Sequence, residues 1–179
     1  MEIILTKRKI LTGLLVVLSA VVLAAIALRL SGKTVAQAVG FDSGRGAALA
    51  GAQAFYSVDY HDGQDVWAAR LCSLSTQPAC EFYQNTVAPF LWREFENAQT
   101  VVSAKAGDAT LLAEETAATR RDAPMQVWRV ALELSVPWPQ GDGQTSFPAH
   151  VLVVREDAGW KFERFLLEDE LVKYAGGEQ

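Results

Sequence analysis

Hydrophobic and polar positions divide the chain near residue 30. Ile10–Leu28 reads ILTGLLVVLSAVVLAAIAL, nineteen residues without a charge, directly after Lys7-Arg8-Lys9. At about 1.5 Å per residue such a helix spans roughly 28 Å, close to the hydrocarbon thickness of a bilayer. Thr12, Gly13 and Ser19 do not spoil it, because a helix satisfies its own backbone and small polar side chains bond back to it. A core helix with no polar face would need protein on every side, so the segment predicts a membrane span.

Beyond it, apolar residues return at helical and then at strand spacing. The first predicted helix is Ala47–Tyr60, with Leu49, Ala52, Phe55, Tyr56 and Tyr60 on one face. Asp62-Gly63 interrupts the pattern and caps a second helix, Gln64–Leu74, carrying Val66, Trp67, Arg70 and Leu71. A third, Pro78–Asn97, has Phe82, Tyr83, Val87, Phe90, Leu91 and Phe95 as its apolar stripe. Pro89 inside it predicts a kink or two helical pieces.

From Gln99 the period shortens. Val101–Ala106 predicts a strand, Gly107-Asp108 a turn, and Ala109–Ala118 a second strand. In Met125–Trp138, Trp128, Val130, Leu132, Leu134 and Val136 alternate with Val127, Arg129, Ala131, Glu133 and Ser135, which predicts one buried and one wet face. Pro137, Pro139, Gly141, Asp142 and Gly143 form a hairpin loop. Ser146–Arg155 follows, with Phe147, Ala149, Val151 and Val153 on one face. Glu156–Gly159 is a tight turn. In the last strand, Trp160–Leu167, the apolar phase shifts between Phe162 and Phe165, which predicts a bulge or burial of both faces. The charged tail carries a short helix, Glu170–Tyr174. Helices followed by strands mean α+β: three helices on one face of a curved antiparallel sheet of four to five strands.

Charge refines the division. From Ser31 onward the chain has 12 Lys and Arg against 20 Asp and Glu, a net of −8, although the whole-chain value is −5. An acidic surface repels nucleic-acid backbones and anionic lipid, so direct nucleic-acid binding is not expected. Arg120-Arg121 reads as a solvated turn. The basic cluster before the apolar run is more compact than Arg29, Lys33 and Arg45 after it, which places the amino end in the cytoplasm and the domain outside. The expected organisation is a cytoplasmic end at 1–9, a transmembrane helix at 10–30, a Gly-rich linker at 31–45, a folded domain at 46–168 and a charged tail at 169–179. The rival is a cleaved signal peptide, with Ala25-Ile26-Ala27 as a small-x-small site and a secreted form starting at Leu28. Both readings export the domain.

Candidate chemistry is sparse. Cys72 and Cys80 are the only cysteines, eight apart with Pro78 between them. In an exported domain they predict a disulfide, worth about 2.5 kcal/mol in the chain-entropy model, and two buried thiols are the alternative. No metal site is expected from two Cys and two distant His, and no cofactor motif, phosphate loop or nucleophile elbow is present. Asp59, Tyr60, His61 and Asp62, with His150, are candidates for a polar ligand pocket or an acid–base pair. They read equally well as a helix-to-helix turn and a strand residue. Trp138 between Pro137 and Pro139 is either an exposed partner contact or a loop side chain folded over the sheet edge.

Ala54-Phe55-Tyr56-Ser57-Val58-Asp59-Tyr60, Trp67, Leu71 and the hairpin from His150 to Leu167, with Gly159-Trp160-Lys161-Phe162, resemble the nuclear-transport-factor-2-like superfamily over about Arg45–Leu167. That resemblance implies a cone-shaped domain at 46–168. Joined to one membrane anchor, it is similar to the bitopic assembly factors of type IV secretion and conjugation systems, and also to membrane proteins associated with mammalian-cell-entry transporters. It implies a non-enzymatic scaffold that partners other membrane-complex subunits and itself. Some members of the superfamily are enzymes, which implies the alternative of a ligand-binding or catalytic pocket near Asp59, His61 and His150.

Overall fold

The computed structural model describes residues 40–117, 123–157 and 159–175. Ile10–Leu28, the Ala27 cleavage site, most of the linker and Arg120-Arg121 lie outside them. No helix among the described residues is long and apolar enough to cross a membrane.

The first helix, α1, is Gly44–Tyr56, begun by Ser43, whose hydroxyl accepts the Gly46 N–H. It ends at Tyr56, four residues before the expected Tyr60, because the chain extends into β1, Val58–Asp59, which pairs with β2, Val101–Val102. Tyr60–Asp62 is a 3-10 turn. Helix α2 is Gln64–Leu74, preceded by Gly63 at φ +87°. The third helix is two pieces, α3 (Gln77–Phe82) and α4 (Ala88–Asn97), joined by a π turn, Tyr83–Val87. Pro89 lacks an N–H and would crowd the carbonyl four residues back, and a widened turn relieves both problems. The Ala88 N–H reaches back to the Tyr83 carbonyl, five residues away, and both side chains are buried. Thr76 caps α3 through the Ala79 N–H.

Four strands form an antiparallel meander in the order β3-β4-β5-β6: Ala104–Ala117, Ala123–Leu134, Ser146–Glu156 and Gly159–Phe165. The fold is therefore α+β with antiparallel sheets. Gly107-Asp108 is not a turn. The pairing slips by one residue between Ala106 and Ala109, and again between Leu111 and Ala113, so β3 is one bulged strand. Each extra residue bends the strand, which curves the sheet around the helices. In β6 the register slips between Arg164 and Phe162, so Glu163 is the extra residue and both Phe162 and Phe165 reach the helix side.

The main core lies between that face and the helices. It includes Val130, Leu132, Leu134, Ala149, Val151, Val153 and Phe162 from the sheet, and Ala48, Ala52, Leu71 and Phe95 from the helices. Helix α1 approaches the sheet at Gly51, where a Cβ would come within 2.3 Å of the Phe162 ring. Phe41 pairs with Trp160 beside β6 through two backbone bonds of 3.0 and 2.8 Å. Gly159, at φ +114°, must be glycine there, since a Cβ would meet the Phe41 carbonyl at 2.7 Å. The other face of the sheet is not uniformly wet. Helix α5, Glu168–Ala175, packs Leu171 and Tyr174 on a second cluster of Val127, Leu152 and Leu166.

Candidate functional site

The space between helices and sheet, where a domain of this layout could hold a ligand, is occupied by aromatic rings. Phe55 and Tyr56 at the end of α1 meet Phe165 of β6 at centroid distances of 4.9 and 5.5 Å, and Tyr56 meets Phe147 of β5 at 5.2 Å. Trp138 closes the group from the loop, 5.9 Å from Phe55, 4.9 Å from Tyr56 and 5.1 Å from Phe95. Tyr83 stacks on Phe162 at 5.8 Å. These are the offset and edge-on spacings that aromatic pairs favour. Trp67 Nε1 donates to the Phe55 carbonyl at 3.2 Å, so this indole is buried without an orphan donor. Burial raises the Tyr56 and Tyr83 phenols above their usual value, so both keep their protons near neutrality.

Trp138 is 9 % exposed and is a core residue, not a surface contact. From the loop between Pro137 and Pro139 the indole turns inward onto Phe55, Tyr56 and Phe95. That apolar destination, offered by three rings on two helices, is the physical reason the exposed reading fails.

The candidate pocket residues fall in two places. Asp59 and His61 lie at the surface on the β1 end and the 3-10 turn, with Asp59 Oδ1 2.7 Å from His61 Nδ1 and accepting the His61 N–H at 3.0 Å. Those bonds, the backbone one first, lower the Asp59 carboxyl below its usual range. The Tyr60 ring lies 3.9 Å from the His61 ring. Asp62 pairs with Arg70 at 3.1 Å, and Arg70 also donates to the Ser57 carbonyl. The group reads as a locked turn. His150 is on β5, paired in register with Arg129, on the face opposite Ala149 and Val151. Burial, then Arg129, lowers its pKa, while Glu168 opposes them. None of the ring contacts of the interior involves Asp59, Tyr60, His61 or His150, and the two places lie on different sheets.

Cys72 and Cys80 are bonded in the structure, joining the end of α2 to α3. No group of His, Cys, Asp and Glu among the described residues could hold a metal ion. Lys161 was not anticipated: it is 1 % exposed, its Nζ has no hydrogen-bond partner, and burial lowers its pKa against the opposing charge of Glu156. The alternation around Trp160 and Phe162 marks it as an outward position, and only coverage of the far face, which periodicity does not reveal, distinguishes buried from wet there.

Among the described residues, open clefts mark the outer surface at two places of note. One, about 650 Å³, lies between the start of α2 and α4 and is lined by Asp62, Asp65, Val66, Pro89, Trp92 and Glu96, among others. The other, about 440 Å³, lies between Ala98–Val102 and Val136–Pro139.

No protein-family description matches this chain, and no curated protein matches it. A solved structure titled "Structure of a periplasmic fragment of TraM" is similar in fold, with a TM-score of 0.50 and 11 % identity over 68 % of this chain and 91 % of that one. At that identity the likeness is one of fold alone.

Proposed function

We propose that the protein is a non-enzymatic structural subunit of a membrane-associated complex, a scaffold of the conjugation or type IV secretion kind, held by a span at 10–30 with its domain outside the cell membrane. The observation that carries this reading is the filled interior. With Phe55, Tyr56, Trp138, Phe147 and Phe165 packed ring to ring, Asp59, His61 and Asp62 stand outside that cluster at the surface, where a subunit makes its contacts. The fold likeness to a periplasmic fragment supports an extracytoplasmic domain. The acidic domain, net −8 from Ser31 onward, supports protein partners over nucleic acid or anionic lipid.

The test is fractionation of the native host, with cross-linking before detergent extraction. The reading expects the full-length mass in the membrane fraction and recovery with itself and with other membrane proteins of one assembly. A soluble mature form beginning at Leu28, recovered alone, would overturn it.

A further inference from the structure

The 440 Å³ cleft sits where a β-ladder comes apart. The Tyr60 N–H donates to the Thr100 carbonyl at 3.0 Å, and Val58 pairs with Val102. Antiparallel alternation then turns the N–H and C=O of Val101 to the opposite edge of β2. On that edge the Ser135 N–H donates to the Ser103 carbonyl at 2.9 Å, and Ala104 pairs with Leu134. The next position facing Val101 is therefore Pro137, which has no N–H to give, and the two segments splay apart. No backbone bond joins Val101 to Pro137 among the described residues.

The opening has the chemistry of a strand-binding groove. Its walls are Val101, Val136, Pro137 and Pro139, and Val101 and Val136 are about half exposed. Thr100, which also lines it, is buried with a hydroxyl that has no partner. No charged residue lines the cleft, yet Asp59 is paired with Val101 across β1–β2, so its side chain stands beside the Val101 side chain at one rim. The Asp59 carboxyl is lowered in pKa and therefore anionic at neutral pH. Against that charge, on a domain of net −8, a basic segment is favoured and a second copy of the same acidic surface is not.

We propose that this cleft receives an extended apolar segment of another subunit, carrying a lysine or arginine, which hydrogen-bonds through its main chain to Val101 and sets its basic group against Asp59. The mode is strand addition, in which main-chain bonds give affinity and alternate side chains give specificity. The proposal rests on the reading of the protein as a subunit.

The experiment titrates the full-length chain, in detergent micelles, with the blocked peptide acetyl-Lys-Val-Thr-Val-Thr-amide and follows backbone amide resonances. A short probe is expected to bind at about millimolar strength. The expected shifts are confined to Asp59–Tyr60, Ala98–Val102 and Val136–Gln140. A probe N-methylated at both valines should bind at least about tenfold more weakly, because it cannot donate to Val101. A Glu-for-Lys probe should also weaken, and so should binding of the original probe to Val136→Arg, a substitution at a half-exposed site that leaves the core intact. Absence of shifts at Val101 up to about 5 mM probe would overturn the proposal, as would equal binding of the N-methylated probe. A photo-cross-linker at position 136 that joins two copies of this chain in native membranes would overturn the choice of occupant. The peptide arms read the isolated chain, so their failure would leave the subunit reading standing, and recovery of the protein alone from its membranes would sink that reading whatever the peptide does.

Discussion

Replacing Trp138 with alanine removes an indole that is 9 % exposed and touches Phe55, Tyr56 and Phe95 at centroid distances of 5.9, 4.9 and 5.1 Å. A tryptophan buries roughly 150–250 Å², which at about 25 cal/mol per Å² is about 4–6 kcal/mol as an upper bound. Measured costs of removing a buried Phe or Trp run about 3–5 kcal/mol. Trp138 sits on a loop that can partly collapse into the space, so the lower half of that range, about 3–4 kcal/mol, is the expected loss. Trp138→Phe keeps a ring against Phe55 and Tyr56 and should cost about half as much. The assay is urea unfolding of the full-length chain in detergent, followed by circular dichroism, with the Cys72–Cys80 bond intact in every variant. A loss below about 0.5 kcal/mol, the usual range for surface substitutions, would mean that the indole is not part of the core and would refute the filled interior.

Other substitutions test separate parts of the account. Gly51→Ala should gain about 1 kcal/mol of helix propensity and lose more, since its Cβ would lie 2.3 Å from Phe162, so a rise in urea midpoint would contradict the packing of α1 on β6. Glu170 takes both Arg164 nitrogens at 2.6 and 2.7 Å and the Leu167 N–H at 3.0 Å, and these bonds, Arg164 first, hold its carboxyl down to about 2. Because the folded value is depressed, the stabilisation is complete above about pH 4.5 and is lost as the pH falls toward 2. The pair is partly exposed, so Glu170→Gln should cost at most about 1 kcal/mol at pH 7. That deficit should vanish near pH 2, and one that persists there would show that the ion pair is not its source. Lys161→Met should stabilise the fold at pH 7 by on the order of 1 kcal/mol, because it removes a buried ammonium that has no hydrogen-bond partner and only the charge of Glu156 to offset its burial. The lysine's folded pKa is lowered, so that gain should fade as the pH rises through the interval between its folded and unfolded values. A destabilised Met variant would show that Lys161 has a partner in solution.

Much of the fold was legible because local pattern and tertiary structure agree. The Gln64–Leu74 helix, the break at Pro89, and the slip in the last strand follow from apolar spacing and from proline's missing donor. What failed to show has a common cause. Gly107-Asp108 carries the same signal for a turn as for a bulge, and only the pairing of Ala104–Ala106 and Ala109–Ala117 with one strand, β4, decides between them. Val127 and Leu152 alternate outward and should be wet, yet α5 covers them, and strand periodicity is blind to what lies above a face. Trp138 was ambiguous because its flanking prolines mark a loop but not the direction its side chain takes. The cleft at Val101 was hidden for a related reason: Pro137 and Pro139 read as a hairpin ending, and their effect on a neighbouring strand appears only once the register is known.

The central claim is that the protein acts through its surface, as an anchored subunit, and not through an interior site. Native mass measurement of the full-length chain, extracted from its own membranes with mild detergent, tests that most directly. The account predicts the intact chain within a complex containing other membrane subunits. An isolated chain that carries a small molecule in its interior, or a mature form lacking the first 27 residues, would contradict it.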